Sequence, residues 1–229
     1  MPVLNEAQVN GFYFRGLGGF PPAKPLVELS EYNGESKICV GCTQLELHHA
    51  YLDRSTRELK SILNEWVDFL RTNTTALTAL HFNTRVPQTL FDAACCQKNL
   101  TELRCKWGGY ADLSALEKLL KLQFLLLGER SGARDISVLG RLENLVVLEL
   151  SGFTKIEDYS PLVPLSNLEQ LMITGPLLGK TPLKDLEFLR EMPNLRSLIL
   201  GGISYRKKYS PGELADLLAV LPNLQIRRN

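Results

Sequence analysis

Asp135-Ile136-Ser137-Val138-Leu139-Gly140-Arg141-Leu142-Glu143-Asn144-Leu145-Val146-Val147-Leu148-Glu149-Leu150 is the stretch that decides how this chain folds. In its first part Ile136, Leu139 and Leu142 are three apart, the spacing of one or two turns of 3₁₀ or α-helix. In its second part Leu148 and Leu150 flank Glu149, the alternation of a short half-buried strand. Asp135 stands where a helical turn begins, and a side-chain oxygen there accepts from the first free backbone amides.

The pattern returns in both directions. Segments of the form Leu-x-x-Leu-x-Leu start at Leu77, Leu100, Leu122, Leu145, Leu168 and Leu195, with a truncated copy at Leu224. Successive starts lie 23, 22, 23, 23, 27 and 29 residues apart. Ten residues before four consecutive starts stand Asp112, Asp135, Asp158 and Asp185, and Asn99, Asn144, Asn167, Asn194 and Asn223 immediately precede five of them. A strand and a short helix of this size cannot bury their apolar faces alone, so the units must stack side by side around a shared leucine core with a parallel sheet.

With its columns in register, the unit Asp-Leu-Ser-x-Leu-x-x-Leu-x-Asn-Leu-x-x-Leu-x-Leu resembles leucine-rich repeat proteins, and most of all the bacterial internalin-like subclass, from about residue 77 to 229. The resemblance implies an α/β fold: a right-handed solenoid with a parallel concave sheet, short helices or 3₁₀ turns on the convex side, and an N-terminal cap. One family feature is missing. Eight residues after each start, where the family carries Asn or Cys, this chain has Arg85, Gly108, Arg130, Phe153, Pro176 and Ile203. Phe153 and Ile203 are candidates to replace that ladder by packing. Gly152, Gly175 and Gly202, each seven after a start, suit positive-φ positions where the strand bends away.

Two units are expected, a cap over residues 1–72 and the repeat domain over 73–229. In the first, residues 16–22 read as loop, and residues 27–29, 37–40 and 45–47 as short strands with a hairpin around Asn33-Gly34. Ser55-Thr56-Arg57-Glu58 is a capping box, and Leu59, Ile62, Leu63, Trp66, Phe69 and Leu70 keep helical spacing to about residue 71. Ser210-Pro211-Gly212-Glu213 is a second box, starting a helix to about 221 that closes the last repeat.

Side chains alternate along each strand, so the residues between the leucines face outward on the concave side. Four after the starts they read His81, Arg104, Leu126, Glu149, Met172 and Ile199; two after, Phe124 and Val147 are among them. Trp107 stands beside Lys106 in the six-after column. Phe124, Leu126, Val147, Met172 and Ile199 are expected to form an apolar strip that water reaches, and such patches mark interaction sites. The reading is a non-enzymatic module that binds a protein or peptide partner. Phe124, Leu126 and Met172 are its anchors, Arg104 and Glu149 set orientation, and His81, Trp107, Val147 and Ile199 complete the surface. The alternative is that an N-terminal loop or a second copy of the chain covers the strip. A different class of function is an adaptor or regulatory subunit of an enzyme, or a bacterial effector whose N-terminal region carries activity.

Composition narrows the rest. Lys and Arg total 26 against 25 Asp and Glu, a net charge of +1, which argues against nucleic-acid binding by bulk charge. Tyr205-Arg206-Lys207-Lys208-Tyr209 interleaves rings with cations, but such a run in an inter-repeat loop is ordinarily solvated. No apolar run approaches the length of a membrane span, no secretory signal is visible at Met1-Pro2-Val3-Leu4-Asn5-Glu6, and the five cysteines are odd in number. A thiol-reduced cytoplasmic protein follows, with export by a signal-less route left open. Cys39-Val40-Gly41-Cys42, with His48 and His49 downstream, lacks the second pair a structural zinc site needs, so no metal or other cofactor is expected. Cys105 occupies an inward leucine position, and no catalytic set stands at convincing spacing.

Overall fold

The computed structural model describes residues 3–11, 25–42, 54–73, 75–129, 131–221 and 224–228. Eight strands lie parallel in one sheet in the order β1-β2-β3-β4-β5-β6-β8-β10: Lys37–Val40, Ala79–Pro87, Glu102–Gly109, Phe124–Glu129, Val147–Ser151, Gln170–Thr174, Ser197–Gly201 and Gln225–Arg228. Neighbouring repeats pair in one register, so that Leu125, Leu148, Leu171 and Leu198 stack, as do Leu127, Leu150, Ile173 and Leu200. These inward residues are at most 5% exposed and form a single core with the leucines of the convex turns. A buried leucine contributes about 1.5–3 kcal/mol relative to an exposed one. Repetition of that small term along the stack is what holds the solenoid.

The convex connections are 3₁₀ turns at Ser114–Lys118, Ser137–Arg141, Ser160–Leu162 and Glu187–Glu191. Each leading aspartate accepts a backbone N–H two residues on: Ser114 on Asp112 and Ser137 on Asp135 at 2.8 Å, Ser160 on Asp158 at 2.9 Å, Glu187 on Asp185 at 3.0 Å. In three of them this contact is also what holds the carboxyl below its ordinary range. The missing ladder is replaced elsewhere in the unit. Asn144, Asn167 and Asn194 donate from Nδ2 to the carbonyls of Leu120, Glu143 and Ser166 in the preceding repeat, at 2.7–2.8 Å. Phe153 is buried in the core, while Ile203 is half-buried.

The first repeat departs from its successors. In place of a 3₁₀ turn it uses a helix, Gln88–Ala94, which the periodicity did not predict, with Leu90, Phe91, Ala93 and Ala94 buried. The two longest repeats differ too. Their extra residues make strands β7 (Thr181–Leu183) and β9 (Ile203–Tyr205), which pair with each other in parallel. Of the three glycines expected to take positive φ, Gly152 (72°) and Gly202 (59°) do. Gly175 serves a different need: a Cβ there would stand 2.4 Å from the Gly202 carbonyl oxygen.

Before the repeats, the expected hairpin is not formed. β1 pairs in parallel with β2, continuing the solenoid sheet, while Leu26 makes a single parallel bridge to Val40 and Leu29–Glu31 is a 3₁₀ turn. Residues 45–47 and 16–22 lie outside the described residues. The helix Thr56–Thr72 starts on the Ser55/Glu58 box and buries Leu59, Ile62, Trp66, Val67 and Leu70. Trp66 donates from Nε1 to the Val27 carbonyl at 2.8 Å, and Gln97 donates to the Leu70 carbonyl at 2.5 Å, tying the helix to both sides of the first repeat. At the far end Pro211–Ala219 starts on the Ser210/Glu213 box and buries Leu217.

Candidate functional site

The side chains between the inward leucines share the opposite, open face of the sheet. Strand register sets Cys39, His81, Arg104, Leu126, Glu149, Met172 and Ile199 in one row, and Glu102, Phe124, Val147, Gln170 and Ser197 in the next. The expected columns are therefore contiguous. Their expected exposure is not found: Leu126 (5%), Val147 (2%), Met172 (0%) and Ile199 (5%) are buried, and so are His81 and Glu149. Arg104, Trp107 and Phe124 are half-buried.

The physical reason over β4 and β5 is the chain's own beginning. Residues 3–11 lie against this face, and Leu4 and Val9 form one apolar cluster with Leu126, Val146 and Val147, with Phe124 packed on it. Of the two covers weighed for the strip, a segment of this chain is the one seen here. Met172 and Ile199, partners in register, make a separate buried pair.

The segment folds as it does for local reasons. Asn5 Oδ1 accepts the Gln8 N–H at 2.9 Å and the Asn5 N–H returns to Gln8 Oε1 at 3.0 Å, a reciprocal cap for the helix Glu6–Gly11. Leu4 before the cap and Val9 in the first turn meet, as in a hydrophobic staple.

Side chains of two neighbouring repeats then grip the segment's backbone. The Glu169 carboxylate accepts the Val3 N–H and, at 3.3 Å, the Leu4 N–H. Gln170 Nε2 donates to the Gln8 and Val9 carbonyls at 3.1 and 3.2 Å. Arg196 donates to the Leu4 carbonyl at 2.7 Å, to Glu169 at 2.8 Å and to Glu6. Glu169 and Gln170 are buried, whereas the Glu6 side chain is 74% exposed.

Glu169 and Arg196 were absent from the expected site because they stand one after a start, a column ordinarily at the strand rim. The readable signal was that column turning from Gln123 and Val146 to an acid and then a base on adjacent repeats. The Leu4-Asn5-x-x-Gln8-Val9 pattern was a second one.

The N-terminal part of the face is polar. His81 Nε2 lies 2.6 Å from Glu102 Oε1, both side chains nearly sealed, and His81 Nδ1 has no partner among the described residues. Lys106 donates to Asn83 at 3.2 Å and sits 4.4 Å over the Trp107 ring. Burial pushes the Cys39 thiol up to about 11, against the pull of the nearby Arg104 and Lys106 charges, and that of Cys42 to about 12. These thiols are protonated at neutral pH and poor nucleophiles. Cys39 sits on the open face and Cys42 in the core, and the described residues contain no cluster of three or more His, Cys, Asp or Glu able to hold a metal; His48 and His49 lie outside them. Cys105 is fully buried in the leucine core.

The basic run after β9 is engaged within the chain. Arg206 pairs with Glu157 at 3.2 Å, and Lys207 with Glu187 at 2.8 Å while lying 4.5 Å over the Tyr209 ring. No described helix is long and apolar enough to cross a membrane.

No protein-family model matches the chain. An uncharacterized protein of Caenorhabditis elegans is 34% identical over 101 residues, which are 41% of this chain and 20% of that protein. Among solved structures, an internalin of Listeria monocytogenes superposes with a TM-score of 0.57 at 21% identity, over 83% of this chain and 46% of its own. Internalin C2 of the same organism gives 0.49 at 23% identity, over 70% and 62%. The chain thus spans about a fifth of its curated relative and under half of the first internalin. At 21% identity the likeness to the first internalin is one of fold. Parallel strands, 3₁₀ turns and superposition agree that the chain has a leucine-rich repeat fold like that of the internalin.

Proposed function

We propose that this chain is a non-enzymatic interaction module that takes a protein or peptide partner on its concave face. One observation carries the reading: that face already holds a peptide segment, through an apolar patch and through polar side chains that bind its backbone. A surface with both elements, apolar at the centre and polar at the rim, has the anatomy of a recognition site. The half-buried Arg104, Trp107 and Phe124 are where a partner makes first contact, and arginine and tryptophan are the residue types that most often dominate binding. Leu126, Val147, Glu149, Met172, Ile199 and His81 are reached after that contact, and His81 and Glu149 fix its polar register. A thiol-reduced, cytoplasmic setting goes with this reading, the five cysteines of the sequence being odd in number.

The test is a photo-crosslinking side chain placed at Trp107, with Leu120, 67% exposed in the turn that leads into β4, as the control position. The expected result is one discrete adduct from position 107, none from 120, and about tenfold weaker capture by an Arg104→Ala variant. Equal adducts at both positions, or none at 107, would overturn the reading.

A further inference from the structure

The concave face is specific about what it holds. We infer that the partner inserts a short, stapled, acidic helix in place of residues 3–11, and that this segment is a resident competitor the partner must displace. The inference rests on the reading of this face as the partner site and names the chemistry that fits it.

The face recognises two kinds of feature. Glu169, Gln170 and Arg196 contact backbone N–H and C=O groups, which any chain entering the same way presents. Selectivity is then left to three side chains. Leu4 and Val9 meet Leu126, Val146 and Val147, and Glu6 meets Arg196. The matching ligand has an apolar residue, a capping residue, an acid at the first helical position and a second apolar residue at the fourth.

The segment is suited to leave. Its helix is six residues long, well short of the roughly 12–15 residues at which an isolated helix becomes even marginally stable, so the face supplies its order. Its contact to Arg196 uses a mostly exposed glutamate that no apolar packing depends on. Uncovering Leu126 and Val147 without a replacement would expose an apolar patch, so departure is coupled to the arrival of a similar helix.

The probe is a fluorescein-labelled peptide of residues 3–11, titrated against the full chain, a Glu6→Arg chain and a Leu4→Asp/Val9→Asp chain. In the first variant the resident segment meets Arg196 with like charge; in the second it loses its apolar hold. Both are expected to take up the peptide at least about tenfold more tightly than the parent, because the competitor's hold is what limits apparent affinity. A Glu6→Arg peptide is expected to bind all three chains at least about tenfold more weakly than the native peptide. Equal uptake by parent and variants, or uptake by none, would overturn the inference. The two readings fail separately. Trp107 adducts as frequent in the parent as in the variants would remove the competitor and leave the partner site standing. Peptide uptake without any Trp107 adduct would leave the competitor and remove the partner site.

Discussion

At Leu126 and Val147 the outward face of the sheet is sealed almost as fully as the inward face, and by different means. Inward, Leu125, Leu148, Leu171 and Leu198 are fully buried, each against its counterpart in the neighbouring repeat. Outward, Leu126 and Val147 are 5% and 2% exposed because a short segment from far away in the sequence lies on them. The first kind of burial follows wherever the units stack. The second depends on a single helix of six residues and on hydrogen bonds from Glu169, Gln170 and Arg196. Equal exposure therefore does not mean equal stability, and a solenoid face can be dry and still be available.

The largest expected effect tests the stronger side of this contrast. Leu171→Ala removes a fully buried side chain from a core that cannot collapse around the gap, and should lower stability by about 2–5 kcal/mol in urea unfolding. Leu126→Ala should cost about 1–2 kcal/mol, since the segment above it can settle into the space. Equal losses would break the comparison. Hydrogen exchange sharpens it: the amides of residues 5–9 should exchange far faster than those of β5 and β6, because the segment opens locally while the sheet opens only globally. Leu126→Asp is for the same reason not a clean surface test of partner binding, as it also evicts the segment.

This contrast explains what the sequence made legible. The inward columns repeat, so their spacing could be read directly, as could the Asp-led turns and the two helices started by Ser55/Glu58 and Ser210/Glu213. The outward columns were read correctly as a face, since register places Arg104, Leu126 and Glu149 side by side. Their burial was hidden, because a contact between Leu4 and Val147 has no period and no local signature. The first strand, β1, was mistaken for half of a hairpin because Asn33-Gly34 is a strong local turn signal, and only stacking on β2 overrides it. The extra residues of the long repeats gave no hint of β7 and β9, which have meaning only as a pair.

A smaller effect tests the asparagines that stand in for the missing ladder. Asn167→Ala removes one inter-repeat bond to the Glu143 carbonyl on an exposed edge, and should cost about 1 kcal/mol with no change in circular dichroism. A loss as large as that of Leu171→Ala would mean that the edge, and not the spine, carries the stack.

The smallest effect is a pH dependence confined to the loop after β9, which polar contacts to Glu157 and Glu187 hold against the preceding repeats. Lys207 and Arg190 donate to the two Glu187 oxygens, at 2.8 and 2.9 Å, and hold that carboxyl down at about 2, against an ordinary 4.5. A folded-state value below the unfolded one stabilises the fold above about 4.5, and that contribution fades as pH falls toward and through about 2. Glu187 is 41% exposed, so solvent and salt screen the pair and the gain is modest. Glu187→Gln should accordingly lower the urea midpoint slightly at pH 6, and the difference from the parent should close by pH 2. The leucine spine has no such titration, so Leu171→Ala should cost the same at both pH values wherever the parent remains folded. A Glu187→Gln deficit that persists undiminished at pH 2 would show the loop to be held by packing, like the spine, and would erase the distinction between the two kinds of burial at this end of the molecule.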